Sequence, residues 1–178
     1  MAKLSKSKQH LDFEDIADMY SFREKSLRLF FSDNNPEYFS SFVGYTPNEV
    51  LEELRYQISE VERDACLNLL AAIEALFRLD YAIRCEEKDK AEISRRFRDL
   101  FSEYQYRLPL EDSLFEERKN EPLVKSSVIS YLKSAFKYRH WLAHGRYWTL
   151  KAGKPKYDFY ELYTLALEVD KFPFKRMQ

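Results

Sequence analysis

Arg139, His140 and His144 lie close together in the string RHWLAHGRYW, and the surrounding stretch 136–148 holds two of the three histidines and both tryptophans. Imidazole exchanges its proton near neutral pH, so a partly open histidine beside a helix end can serve as general acid or base. An arginine nearby can neutralise a phosphate as charge grows on it. That pairing suits cleavage of a phosphodiester by an RNA 2′-hydroxyl. A core or capping histidine is the plain alternative.

Arg139 falls on the apolar stripe of a helix, where an unpaired guanidinium would cost several kcal/mol. It needs a carboxylate or a bound anion, and Glu74, in an otherwise apolar helix, is the most economical partner within the chain. A structural Arg–Glu bridge without catalysis is the competing reading. Five residues advance about 500° around a helix, so Arg139 and His144 point roughly 140° apart if the helix stays regular. Either the helix breaks before His144, or two chains build one site. His140 and His144 are spaced to share a helix face and could hold a metal, but no glutamate follows His140 as in zinc proteases, and no metal is expected. Tyr138, Trp141, Tyr147 and Trp148 could stack on unpaired bases or pack a dimer interface.

The elements that must position these residues read as helices. Three glycines and six prolines leave little material for many tight turns, which disfavours a sandwich or barrel. Phe13, Ile16, Ala17, Tyr20, Leu27, Phe30 and Phe31 give a first amphipathic helix over roughly 10–32. Thr46-Pro47-Asn48-Glu49 joins an N-cap, a first-turn proline and a glutamate three residues on, opening a second helix that runs to Glu87. Its stretch 65–83 is apolar nearly all round, apart from Asn68, Glu74, Arg78 and Asp80. Cys66 and Cys85 both fall in that helix, about 28 Å apart, which excludes a bridge between them and fits a reducing compartment. A charged third helix covers 89–107, and an acidic connection with room for one helical turn, opened by Ser113 and Glu116, follows over 110–121. The motif helix opens near Pro122 and stops at Gly145, carrying Val128, Leu132, Ala135, Phe136, Arg139, Leu142 and Ala143 on its stripe. Lys151-Ala152-Gly153-Lys154 makes a hairpin or an irregular loop. Asp158 and Glu161 cap a last helix. The polar stretch 1–9 reads as a tail, and 10–178 as one all-α domain of about five main helices.

Net charge is −1, yet residues 122–157 contain no Asp or Glu and eight Lys or Arg, leaving 21 basic against 30 acidic residues elsewhere. A basic segment on an acidic body favours an anionic ligand at one place, with Lys137, Arg146 and Lys151 as candidate RNA contacts; a solvated basic face is the bland alternative. No apolar run approaches the roughly 18 residues of a membrane span, and MAKLSKSKQ lacks a secretory apolar core, so a cytoplasmic location is expected.

At the histidine string the sequence resembles the HEPN superfamily, whose signature is an arginine, usually a polar residue after it, and a histidine four to six positions on. Here Arg139, His140, three apolar residues and His144 fill that pattern. The longer RHWLAHGRYW, with LEDSL upstream and a last helix from Asp158, looks like the RiboL-PSP-HEPN branch, most clearly over 110–171. The resemblance implies an up-and-down helical bundle that dimerises with its two motif helices face to face around a composite site. It implies metal-independent endoribonuclease activity, without a cofactor, leaving 2′,3′-cyclic phosphate and 5′-hydroxyl ends. Arg139 and His144 carry over as catalytic residues, supported by His140, Glu74 and Tyr147. The family's earlier glutamate-x-x-x-lysine-arginine element is met only partly by Glu74 and Arg78, since Leu79 takes the last position. The tyrosine that one toxin branch has modified by a nucleotidyltransferase is replaced here by Arg146. Members include toxins held by antitoxins, antiphage effectors and non-catalytic RNA-binding or scaffold modules. The last of these is the alternative reading.

Overall fold

Local signals in the chain set where its helices begin and end. The computed structural model describes residues 5, 7, 9, 11–87, 89–150 and 157–176, so most of the expected tail and the Lys151–Lys154 stretch lie outside the described residues. Asp12 caps α1 (Phe13–Phe30), its carboxylate accepting from the Asp15 amide at 2.8 Å. A short α2 (Tyr38–Ser41) follows, where the residue pattern predicts no helix. The capping box opens α3 (Pro47–Glu87): Thr46 N–H donates to Glu49 Oε2 at 2.7 Å, and Glu49 N–H returns to Thr46 Oγ1 at 3.3 Å. The Asp158 carboxylate accepts from the Glu161 amide to start α7 (Phe159–Asp170).

Three boundaries differ from the sequence reading. The third helix is shorter, α4 (Glu92–Tyr104), because Gln105 turns left-handed at φ 51° and the chain tightens into a 3-10 turn, Gln105–Arg107. The acidic connection is helical: a π turn, Leu110–Leu114, runs into α5 (Phe115–Lys119) and buries Leu114 and Phe115. The motif helix α6 (Ser126–Ala143) begins four residues after Pro122, since 121–125 form turns that bury Val124 and leave Leu123 exposed.

Together α1, α3, α4, α6 and α7 make an all-α bundle, with no strand among the described residues. Its axis is α3, which touches each of the other four. Cys66, Leu69, Leu70 and Ile73 on α3 have no exposed surface, and each such aliphatic side chain contributes about 1.5–3 kcal/mol by leaving water. Both cysteines are buried thiols. No helix among the described residues is long and apolar enough to cross a membrane.

A charged network lies inside the bundle. Asp80 on α3 is fully buried and accepts from Arg84 Nε at 2.7 Å, from the Lys175 backbone amide at 2.7 Å and from the Arg118 guanidinium. Arg84 and Arg118 both reach the Pro173 carbonyl, and Arg118 stacks over Phe174 at 4.8 Å. The segment after α7 is thereby tied to the core.

Candidate functional site

Packing of α6 on α3 decides which way the motif residues face. Leu132, Ala135, Phe136 and Tyr138 are buried, and Arg139 turns toward α3, where its Nη2 meets Glu74 Oε2 at 3.0 Å. Glu74 also accepts from Arg78 Nε at 2.7 Å, one helical turn along. One carboxylate thus serves two guanidiniums, as the sequence requires for an arginine on the apolar stripe. The Arg139 side chain keeps 31% exposure at its end, while its Nε is enclosed without a hydrogen-bond partner.

The helix does not break before His144. It continues to Ala143 and closes in a Schellman turn: Arg146 N–H donates to Trp141 O at 3.1 Å and Gly145 N–H to Leu142 O at 3.4 Å, with Gly145 at φ 80°. Arg139 and His144 therefore stay on different faces of one chain, with no hydrogen bond or ion pair between them. Ala143, expected on the core stripe, is exposed because the last turn runs past the bundle's apolar layer.

His140 and His144 share the open face, their ring centroids 4.2 Å apart, with the Trp148 ring at 6.2 and 6.5 Å. Trp148 is held there because Trp141 Nε1 donates to its carbonyl at 2.8 Å, while the Trp141 ring stacks on buried Tyr138. Tyr147 stands edge-on to Trp148 at 4.7 Å and is 83% exposed. Glu111, Lys137, His140, Trp148, Thr149 and Leu150 line an open groove of about 710 Å³. Lys137 makes no ion pair among the described residues. The groove thus offers the His140 imidazole with His144 beside it, one free cation, a carboxylate and an aromatic face, a set suited to a nucleotide-like ligand.

Several sequence candidates have other occupations. Arg146 bridges to Glu60 of α3 at 2.8 Å, and its hydrogen bond holds the Glu60 carboxyl below the ordinary glutamate range. Lys133 pairs with Glu116, Lys125 with Glu168. Four of the five described cations in 122–157 are thus matched by carboxylates from other elements, so the described part of the basic segment is largely neutralised within the chain. Lys151 lies outside the described residues. Sequence reasoning missed Glu111, which sits in the LEDSL string but reads as part of a solvated acidic run, and it missed Glu60. Among the described residues no group of three or more His, Cys, Asp and Glu side chains could hold a metal ion. Comparison with family models, curated proteins and solved structures finds no match to this chain.

Proposed function

We propose that this chain is a metal-independent endoribonuclease of the HEPN kind, acting in the cytoplasm as a toxin or antiphage effector under the control of a neutralising or activating partner. The exposed His140–His144 pair beside Lys137 and Trp148, closing a helix whose Arg139 is fixed by Glu74, carries this reading. In the proposed reaction His144 takes the proton of an RNA 2′-hydroxyl as that oxygen attacks the adjacent phosphorus. Arg139 neutralises the charge gathering on the phosphoryl oxygens, and the P–O5′ bond breaks as the departing oxygen takes a proton from water, leaving a cyclic phosphate and a 5′-hydroxyl while His144 returns its proton to the solvent. Because Arg139 and His144 face apart within a chain, the working site joins Arg139 of one copy to His144 of another. Glu74 orients the arginine, and Trp148 and Tyr147 offer surfaces for unpaired bases.

Incubation of the purified protein with mixed single-stranded and structured RNA in EDTA tests this. Wild type is expected to yield cyclic-phosphate ends, and His144→Ala and Arg139→Ala to yield none while keeping wild-type helicity by circular dichroism. Cleavage by either variant at the wild-type rate overturns the assignment.

The Arg139–Glu74 ion pair favours one alternative, a catalytically inactive module that binds RNA or nucleotide, or scaffolds a partner, through the same groove. It predicts RNA retention that falls with salt and no product ends.

A further inference from the structure

Above Glu60 the bundle thins to two helices. Arg146, just past the end of α6, meets α3 at Glu60, and the Phe159 amide at the start of α7 donates to Glu62. Residues 47–59 of α3 thus extend about 20 Å beyond the last neighbours they share with α6 and α7, accompanied among the described residues by the second half of α1 and by α2. Val50 is the one buried residue in 21–60. At the tip, the rings of Phe30, Phe31, Tyr38, Phe39, Phe42 and Tyr45 form one connected cluster, each within about 6 Å of another ring. None of these six belongs to the bundle's core.

This arm is apolar where it should be wet. Phe22, Phe39 and Val43 are 72, 78 and 77% exposed, and Leu29, Phe30 and Tyr45 are also open. Phe22 and Leu29, seven residues apart, share one face of α1, turned away from the Ile16 and Tyr20 side that packs on the bundle. At about 200 Å² for a large side chain, these six expose roughly 700 Å², close to the ~800 Å² that each partner contributes to a stable interface. A patch of that size on a two-helix hairpin marks a missing partner.

The charges indicate which partner. Setting aside the charges matched within the chain, Arg28 with Glu24 and Glu60 with Arg146, α1 over 21–30 carries Arg23 and Lys25, whereas α3 over 47–59 carries Glu49, Glu52 and Glu53 against Arg55. A hairpin with one basic and one acidic helix is complementary to its own copy turned by a twofold axis, which sets each basic helix against the other's acidic one. We infer that the arm formed by 21–60 is a homodimerisation surface, in which two hairpins complete one four-helix bundle. This interface is separate from any face-to-face pairing of α6, and it does not rest on the ribonuclease reading.

Sedimentation equilibrium between about 1 and 100 µM tests it, on the full-length protein and on a Phe39→Ser/Val43→Ser variant. Both substituted side chains are exposed, so circular dichroism and the melt at the lowest concentration should match wild type. The expected result is a dimer whose Kd rises about 30-fold or more in the variant and also rises with salt, as charge matching requires. A wild type that stays monomeric across the range overturns the inference. So does a dimer that the double substitution leaves intact but Lys137→Glu on α6 dissociates.

Discussion

Asp80 binds two guanidiniums and one backbone amide in a site without water-exposed surface, and burial drives the proton affinity of Arg118 down while Asp80 works against that shift. Asp80→Asn removes the one fully buried carboxylate among the described residues, the one that faces Arg84 and Arg118. The expected loss is about 3–5 kcal/mol, the range for an ion pair broken inside a protein. Arg118→Met leaves Asp80 paired with Arg84 and the Lys175 amide, and should cost less. Urea unfolding of both variants, with the slope checked for constancy, measures the difference; equal losses would show that Arg118, not Asp80, holds the network. Burial pushes the neighbouring Cys85 thiol up to about 12, so its thiolate is scarce at neutral pH and the residue is inert rather than redox-active.

Among the elements, α6 shows how much a single turn decides. Gly145 sits at φ 80° with nothing within 4 Å of where a Cβ would stand, so Gly145→Ala meets only backbone strain. A cost of about 1 kcal/mol, or roughly 2–4 °C in melting temperature, is expected from thermal unfolding; no shift would show that the Schellman turn relaxes freely. That glycine, like the Thr46–Glu49 box and the Asp158 cap, was legible in the sequence because each signal lies within a few consecutive residues. The Arg139–Glu74 pair was legible for a different reason: a charge on an apolar stripe must find its opposite, and the apolar stretch 65–83 of α3 holds only two carboxylates, Glu74 and Asp80. The Arg118 network was not, since LEDSLFEERKNE has the composition of a solvated loop and only the packing of α5 on α4 and α6 turns Arg118 inward. The start of α6 was misplaced because a proline opens a turn as readily as a helix.

Across the whole molecule, the acid-free stretch and the acidic remainder are two halves of one charge match. Glu60, Glu116 and Glu168 take up Arg146, Lys133 and Lys125, and hydrogen bonds hold each carboxyl below its ordinary range, from Arg146 on Glu60, from Lys133 on Glu116, and from Lys171 first and then Lys125 on Glu168. A carboxylate with a depressed folded value adds stability that is fully present above its unfolded value and is lost as pH falls through the folded one. The melting temperature should therefore hold steady around neutrality and drop once pH passes below the ordinary glutamate range. Glu60→Gln should start lower at neutral pH and lose less on acidification, and equal acid sensitivity in the two proteins would remove Glu60 from the account. This internal matching also explains why the described part of a strongly basic segment leaves Lys137 as its one free cation.

The clamp on the segment after α7 also bears on time. Asp80 accepts a hydrogen bond from a residue made 95 positions later, and Arg84 donates one to a carbonyl made 89 positions later. At about 5–20 residues per second, synthesis leaves that carboxylate without its last donor for roughly 5–20 s. Through that interval the nascent chain holds a charged group that cannot yet be sealed from water, so the centre of the bundle closes late, on a schedule set by residue order rather than by stability.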